Sequence, residues 1–234
     1  MILPDRDKLE ALAEFAAGAG HEINNPLGTI IGRAQLLLKD EQDPQRRQML
    51  ISIGAQAYRI RDMIGDTMLF GRPPLPRPVT TLLRETIDTV VARQAMELAD
   101  ANCSVIVAVD AALAVWADPT QLAIVVSELL RNSRQALSSR GGEIQIQAQR
   151  SDSLVKFQIH DFGKGFTESE RQHAFDPFYS GRQAGRGLGF GLSKCWRIIT
   201  LHGGRIWIES CADGPTTVFV EWPVTDESLP LSAG

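Results

Sequence analysis

From Lys8 to Leu38 the apolar residues Leu9, Leu12, Ala16, Ala19, Ile23, Leu27, Ile30, Ile31, Ala34 and Leu37 recur at steps of three and four, drawing one stripe along a helix. The polar run KDEQD, residues 39–43, then turns the chain. Asp43 followed by Pro44 offers an N-cap and a first helical residue for a second helix. Along it Met49, Ile53, Ala57, Ile60, Ile64 and Met68 form another stripe. Two such helices pack antiparallel as a hairpin, but a lone pair cannot bury both stripes. The pattern therefore predicts a homodimer that completes a four-helix bundle.

GRPPLPRP, residues 71–78, continues neither helix, and its prolines favour a stiff extended linker. Beyond it the pattern alternates. A helix is expected near 81–100, strands near 104–109 and 113–116, and a helix after the Asp118-Pro119 cap running to about Leu137. A strand pair follows from Glu143 to Ile159, then a Gly-rich stretch, a helix from about Gly189 to Leu201 and a final strand pair near 205–221. Adjacent strands joined by short turns, with helices inserted between them, predict an α+β fold with helices layered on one face of a mixed sheet. The expected division is a hairpin over 1–71, a linker over 72–78, a second domain over 79–224 and a disordered tail, TDESLPLSAG, over 225–234.

Composition changes this picture little. The 234 residues, 44% hydrophobic and 22% charged, suffice for a sizeable core, and the net charge of −4 supplies no basic footprint, so nucleic acid is not an expected partner. Cys103, Cys195 and Cys211 are odd in number and far apart, which suits thiols in a reducing compartment and implies neither a disulfide framework nor a zinc site. The N-terminus carries acids where a signal peptide has a basic start, and no apolar run approaches a membrane span. The chain is expected to be cytoplasmic, with room for a longer parent carrying a sensor or membrane segment upstream.

Three segments carry candidate chemistry. In SELLRNSRQAL, residues 127–137, Glu128 and Asn132 stand four apart and share a helix face; a carboxylate and an amide oxygen there are hard ligands suited to magnesium, or simply a solvated polar face. HDFGKGF, residues 160–166, puts Asp161 at the end of an alternating strand, ahead of Gly163 and Gly165. A buried carboxylate there can accept from an exocyclic amine while glycine backbone passes close to a flat ring; an Asp-Gly turn is the plainer reading. GRGLGFGLS, residues 185–193, spaces Gly185, Gly187, Gly189 and Gly191 two apart just before a helical run, where backbone N–H groups can cradle phosphates. It matches neither a P-loop nor a dinucleotide fingerprint.

Taken together with HEINNPL (residues 21–27) and FDPFYSGR (175–182), these segments stand in the order of the H-box, N-box, first glycine box, F-box and second glycine box. The chain thereby resembles a sensor histidine kinase of two-component systems over nearly its whole length. The resemblance implies a dimerisation and histidine phosphotransfer hairpin, followed by an α/β two-layer sandwich ATP-binding domain of the type shared with gyrase and heat-shock-90 ATPases. It implies that Asn132 coordinates Mg2+, with Glu128 beside it as a second metal candidate. It further implies that Asp161 reads the adenine amino group, that Gly163 and Gly165 line the base, and that Gly187, Leu188, Gly189 and Gly191 border the phosphates under a lid from about Phe166 to Arg186. Arg182 and Arg186 are candidate phosphate contacts, and Phe175, Phe178 and Tyr179 an aromatic anchor of the lid.

The same resemblance makes His21 the phosphoacceptor. Glu22 can take a hydrogen bond from one ring nitrogen and leave the other free for attack. Pro26 removes the hydrogen bond to the carbonyl of residue 22, so a bend is expected one turn beyond His21. Asn25 is implied to orient a water that dephosphorylates the receiver domain of a response regulator, the expected partner. Glu128 departs from a common asparagine and stands where gyrase-like enzymes activate water, which keeps an ATPase alternative open; a non-catalytic docking module is the other. His160 is expected to be packed or half-exposed in its strand, and no partner is evident for His173 or His202.

Overall fold

This computed structural model describes residues 6–71, 73–137, 140–177, 179 and 189–224, and of residues 6–17, 19 and 21 only the backbone. The chain divides into two compact units between Pro74 and Leu75.

The first unit is a helical hairpin, α1 (Arg6–Asp40) and α2 (Pro44–Gly71). Asp43 caps α2 as expected, its Oδ1 accepting from the backbone N–H groups of Gln45 at 2.8 Å and Arg46 at 2.9 Å. Arg47 closes the turn from the other side, donating from one guanidinium nitrogen to the carbonyls of Leu38 and Glu41, both at 3.0 Å. The Leu38 carbonyl is one that the end of α1 leaves without a helical partner, and Glu41 is the first residue beyond the helix. Leu27, Ile31 and Ala57 form the inner seam, with Ile23 and Tyr58 packed against it. Among the described stripe residues Ala34 is also buried, but Ile30, Leu37, Met49, Ile53 and Ile60 are all exposed in one chain, Met49 at 63%. α1 continues through Pro26, next to which the Thr29 hydroxyl donates to the Asn25 carbonyl at 3.2 Å.

In the second unit a five-stranded sheet has the order β2-β4-β5-β7-β6, where β2 is Cys103–Ala108, β4 Gly142–Ser151, β5 Leu154–Asp161, β6 Arg205–Ser210 and β7 Thr216–Pro223. Only β2 and β4 run parallel. Three helices, α3 (Leu83–Arg93), α5 (Pro119–Leu137) and α7 (Gly191–Leu201), supply Ile87, Leu122, Val126, Leu129, Ile198 and others to one core. The sheet contributes Ile144, Ile146, Phe157, Ile159, Val218, Val220 and Trp222. On the opposite sheet face Trp207 and Phe219 stack at 5.1 Å beneath the ammonium of Lys156.

Three expectations are corrected. The helix proposed over 81–100 is a strand, β1 (Val79–Leu82), then α3, then a short α4 (Ala95–Asp100). The β-branched residues of VTTL suit an extended edge, and the helix is interrupted at Gln94, whose side chain donates to the carbonyl and hydroxyl of Ser127. Second, the strands near 104–109 and 113–116 belong to different sheets. β3 (Ala114–Ala117) pairs with β1, and β2 joins the main sheet through β4. Third, a short helix α6 (Glu168–Gln172) lies in the lid segment, held by a reciprocal capping box between Thr167 and Glu170.

The histidines without evident partners both have one. The His173 Nδ1 lies 2.7 Å from Asp176. His202 is buried, its Nδ1–H facing the Ile198 carbonyl at 2.9 Å and its Nε2 accepting the Asp118 backbone N–H at 3.1 Å. That pair of contacts selects the neutral Nδ1–H tautomer and joins the end of α7 to the start of α5. Asp118 caps α5 through Oδ1 and accepts the Arg77 N–H through Oδ2. Burial pushes its carboxyl upward, but the N–H groups of Arg77, Gln121 and Thr120 outweigh this and hold it below the ordinary carboxylate range. For His202, burial lowers the pKa, only partly offset by the Ile198 carbonyl and the Asp118 charge.

Because the folded His202 binds its proton less readily than the unfolded residue, its contribution to stability is complete above about pH 6.5 and is lost as pH falls below that value. We expect the melting temperature to drop between about pH 7.5 and about pH 5.5, and the drop to be smaller in His202→Gln, measured by thermal unfolding at each pH. Equal drops in the two proteins would show that this histidine does not set the dependence.

Candidate functional site

The site grows out of the pairing register of β5. Along Val155, Phe157, Ile159 and Asp161 every second residue faces the helices, so the last of them carries a carboxylate onto an otherwise apolar face. Asp161 is 3% exposed. Burial pushes its carboxyl above the ordinary range, while the Ser133 hydroxyl and the Gly163 N–H, the latter 3.0 Å from Oδ1, stabilise the charged form and moderate the rise. Ser133, buried on α5, is the residue that sequence reasoning missed here; its position directly after Asn132 in RNS is the only sequence signal it leaves. His160 is half-buried on the other sheet face, bonded to Thr217 at 2.8 Å.

Beyond Asp161 the chain turns through Gly163 and Gly165. Gly165 has φ +67°, and a Cβ there would collide with the Cys211 carbonyl, so only glycine fits. The turn is tied to the β6–β7 connection: Ser210 accepts the Phe166 N–H at 3.0 Å, and Asp213 donates its N–H to Lys164 at 2.8 Å.

α5 presents Asn132 and Glu128 on one face, as their spacing requires. Among the described residues nothing pairs with the buried Nδ2 of Asn132. Glu128 is not part of a solvated face: it is 7% exposed, Oε1 accepts from the Lys194 ammonium at 2.7 Å, and Oε2 is paired with Arg131. Both carboxylate oxygens of Glu128 are thus engaged by cations, while Asn132 on the same face keeps a Nδ2 unpaired among the described residues. Lys194 and Arg131 were not foreseen as partners of Glu128.

The helix expected from Gly189 starts at Gly191, with Phe190 buried at its N-cap. Gly189 has φ +74° and packs against the backbone of Tyr179. A Cβ on Gly191 would lie 3.0 Å from Glu128 Oε2 and 3.6 Å from Asn132 Nδ2, so the end of the second glycine box abuts the Asn132 face. Phe175 is buried and Tyr179 half-buried. Arg182, Arg186, Gly187, Leu188 and Phe178 lie outside the described residues. In the hairpin, Glu22 and Asn25 are exposed on α1, in the turns around His21, whose backbone is helical.

A mixed sheet covered by helices on one face, with a buried strand-end carboxylate beside a glycine turn and a helix amide, is the arrangement of a gyrase-type ATP-binding fold. The comparisons agree. A family model described as histidine kinase-, DNA gyrase B- and HSP90-like ATPase matches residues 117–226, and one described as the His Kinase A (phospho-acceptor) domain matches residues 11–74. The chain is 33% identical over 207 residues to the sensory histidine kinase/phosphatase NtrB of Escherichia coli O157:H7, covering 84% of this chain and 58% of that protein. It is 31% identical to the signal transduction histidine-protein kinase AtoS of Escherichia coli K12, covering 94% of this chain and 36% of that protein. Among solved structures, full-length ShkA in complex with AMPPNP shares the fold with a TM-score of 0.80 at 20% identity, over 94% of this chain and 48% of that one. Histidine kinase ThkA in complex with response regulator protein TrrA matches with a TM-score of 0.66 at 25% identity, over 96% of this chain and 65% of that one.

This chain belongs to the sensor histidine kinases. It spans 58% or less of the length of these two curated relatives. The family and the paired state of Glu128 together disfavour the gyrase-like ATPase alternative. No helix among the described residues is long and apolar enough to cross a membrane.

The buried Asp161 carboxylate suits an exocyclic amine donor, and the unpaired Nδ2 donor of Asn132 together with the adjoining glycine turns suits phosphate oxygens. Asp161→Asn is expected to weaken ATP binding about ten- to a hundredfold, the scale of one charge-assisted hydrogen bond. Calorimetric titration with Mg-ATP checks this, and undiminished affinity would remove Asp161 from the site.

Proposed function

We propose that this chain is an ATP-dependent histidine kinase that phosphorylates its own His21 and passes the phosphoryl group to an aspartate of a response-regulator receiver domain. The observation that carries the reading is the buried, hydrogen-bonded Asp161 beside Asn132, in a chain that also holds the phosphoacceptor histidine segment. Asp161 accepts the adenine amine, Gly163 and Gly165 let backbone approach the ring, and Asn132 holds Mg2+. Gly187, Leu188, Gly189 and Gly191 border the phosphates, with Arg182 and Arg186 as further contacts. Mg2+, when bound, supplies neutralisation of the charge on the transferring phosphate.

His21 attacks the γ-phosphorus with one ring nitrogen while Glu22 holds the proton on the other. The new N–P bond forms as the bond from phosphorus to the β–γ bridging oxygen breaks, and ADP leaves with the electron pair. The phosphoryl group then moves to the receiver aspartate. Asn25, one helical turn from His21, orients the water that later hydrolyses that aspartyl phosphate, giving the chain a second, phosphatase activity. The NtrB relative is named as both kinase and phosphatase, which supports this.

A second copy of the chain covers the exposed apolar stripes of the hairpin. Burying what remains exposed of residues such as Met49 and Ile53 is worth about 1 kcal/mol or more each, which favours completion of a four-helix bundle. The proposed units are the hairpin over 1–71, the linker over 72–78, the ATP-binding domain over 79–224 and the tail over 225–234, acting in the cytoplasm.

Incubation with Mg2+ and γ-labelled ATP should give acid-labile, alkali-stable label on the chain, absent from His21→Ala. Phosphate release with no protein label would contradict the kinase reading. Asn25→Ala should keep the label but slow dephosphorylation of a phosphorylated receiver by at least about tenfold, the scale of a lost water-orienting group. An unchanged rate would refute that role.

A further inference from the structure

We infer that Lys194 is a specificity-determining residue of the phosphoryl transfer: it holds Glu128 as an ion-pair acceptor and so keeps that carboxylate from activating water against ATP. The inference rests on the ATP-binding reading above and adds to it the reason why a glutamate at this position does not make the chain a hydrolase.

Glu128 lies one helical turn before Asn132 on α5, and Lys194 lies one turn into α7, which starts at Gly191 where the second glycine box ends. Both side chains are buried, Lys194 at 4% and Glu128 at 7% exposure, and Nζ sits 2.7 Å from Oε1. Arg131 occupies Oε2. A general base must aim a free lone pair at the water it deprotonates. Here each oxygen already accepts from a cation. The ion pair also has a positioning effect, since it fastens the first turn of α7 to the helix that carries Asn132, so closely that a Cβ added to Gly191 would lie 3.0 Å from Glu128 Oε2. Arg131 is not equivalent to Lys194 in this, because its side chain is 40% exposed and it stands on the same helix as Glu128, so it cannot join the two helices.

The reaction that Lys194 suppresses balances as follows. The oxygen of a water forms a bond to the γ-phosphorus, the bond to the β–γ bridging oxygen breaks with its electrons going to ADP, and a water proton moves to Glu128. Without Lys194, Oε1 is released for that proton.

The experiment uses the whole chain with Lys194→Met, Lys194→Arg, Glu128→Gln and the Lys194→Met/Glu128→Gln pair. Mg-ATP affinity, phosphohistidine formation and steady phosphate release are read beside the melting temperature of each nucleotide-free protein. Lys194→Met should still bind Mg-ATP and release phosphate at least about fivefold faster per phosphohistidine formed, a modest fraction of what a general base contributes. Adding Glu128→Gln should abolish that gain and raise the melting temperature above that of Lys194→Met, because it removes a buried carboxylate left with only the partly exposed Arg131 as its partner. Lys194→Arg should keep the wild-type ratio. Unchanged phosphate release in a Lys194→Met protein that binds ATP, or a gain that survives Glu128→Gln, overturns the inference. If Lys194→Met does not fold, Glu128→Gln alone decides: phosphate release per phosphohistidine formed stays at the wild-type level if Glu128 is only an ion-pair acceptor, and a fall of that ratio by about tenfold or more with binding intact overturns the inference. A wild-type chain that binds no Mg-ATP overturns both this inference and the reading it rests on.

Discussion

A carboxylate on the apolar face of a sheet is costly unless its lone pairs are met, and in this protein the meeting of Asp161 with Ser133 and Gly163 organises everything around it. The period-two alternation of β5 delivers Asp161 to the helix-covered face, in register with Ile144 on one side and Thr216 on the other. Ser133 can reach it only if α5 lies along the sheet with the face of Val126, Leu129 and Leu130 buried. The face of α5 that meets the sheet thus fixes where Asn132 and Glu128 stand.

α5 is anchored over its whole length by polar contacts that surround its apolar packing. Asp118 caps its start and takes in the linker residue Arg77, Gln94 binds the carbonyl and hydroxyl of Ser127 on its middle turns, Lys194 pairs with Glu128, and Ser133 meets Asp161. His202 adds a contact from the end of α7 to the same N-terminus. Apart from the Asp118 cap, each contact joins segments far apart in sequence. Their sum is a helix whose register is set before any nucleotide arrives, which is the preorganisation that phosphoryl transfer demands of its positioning groups.

Much of this was legible from local pattern. The stripes of α1 and α2 and the Asp43 and Asp118 caps rest on side chains within a turn of one another, as do most strands of the main sheet. The order of the Asn132, Asp161 and glycine segments was equally plain. What stayed hidden depends on distance. VTTL became a strand because β3 offers it a partner, and the expected long helix is interrupted at Gln94, whose side chain is bound to the distant Ser127. His202 seemed unpartnered because its contact is with Asp118, 84 positions earlier in the chain. Lys194 drew no attention in the sequence, because only the packing of α7 on α5 turns it inward onto Glu128.

Amide hydrogen exchange on the nucleotide-free chain tests most directly the claim that α5 is set in advance. The account predicts that the amides of α5 through Leu137 and of β5 through Asp161 exchange only by global unfolding, at a rate that added nucleotide leaves unchanged relative to the rest of the core. If α5 exchanges by local opening in the free chain and gains protection only when Mg-ATP is added, the helix is assembled by its ligand, and the central claim is wrong.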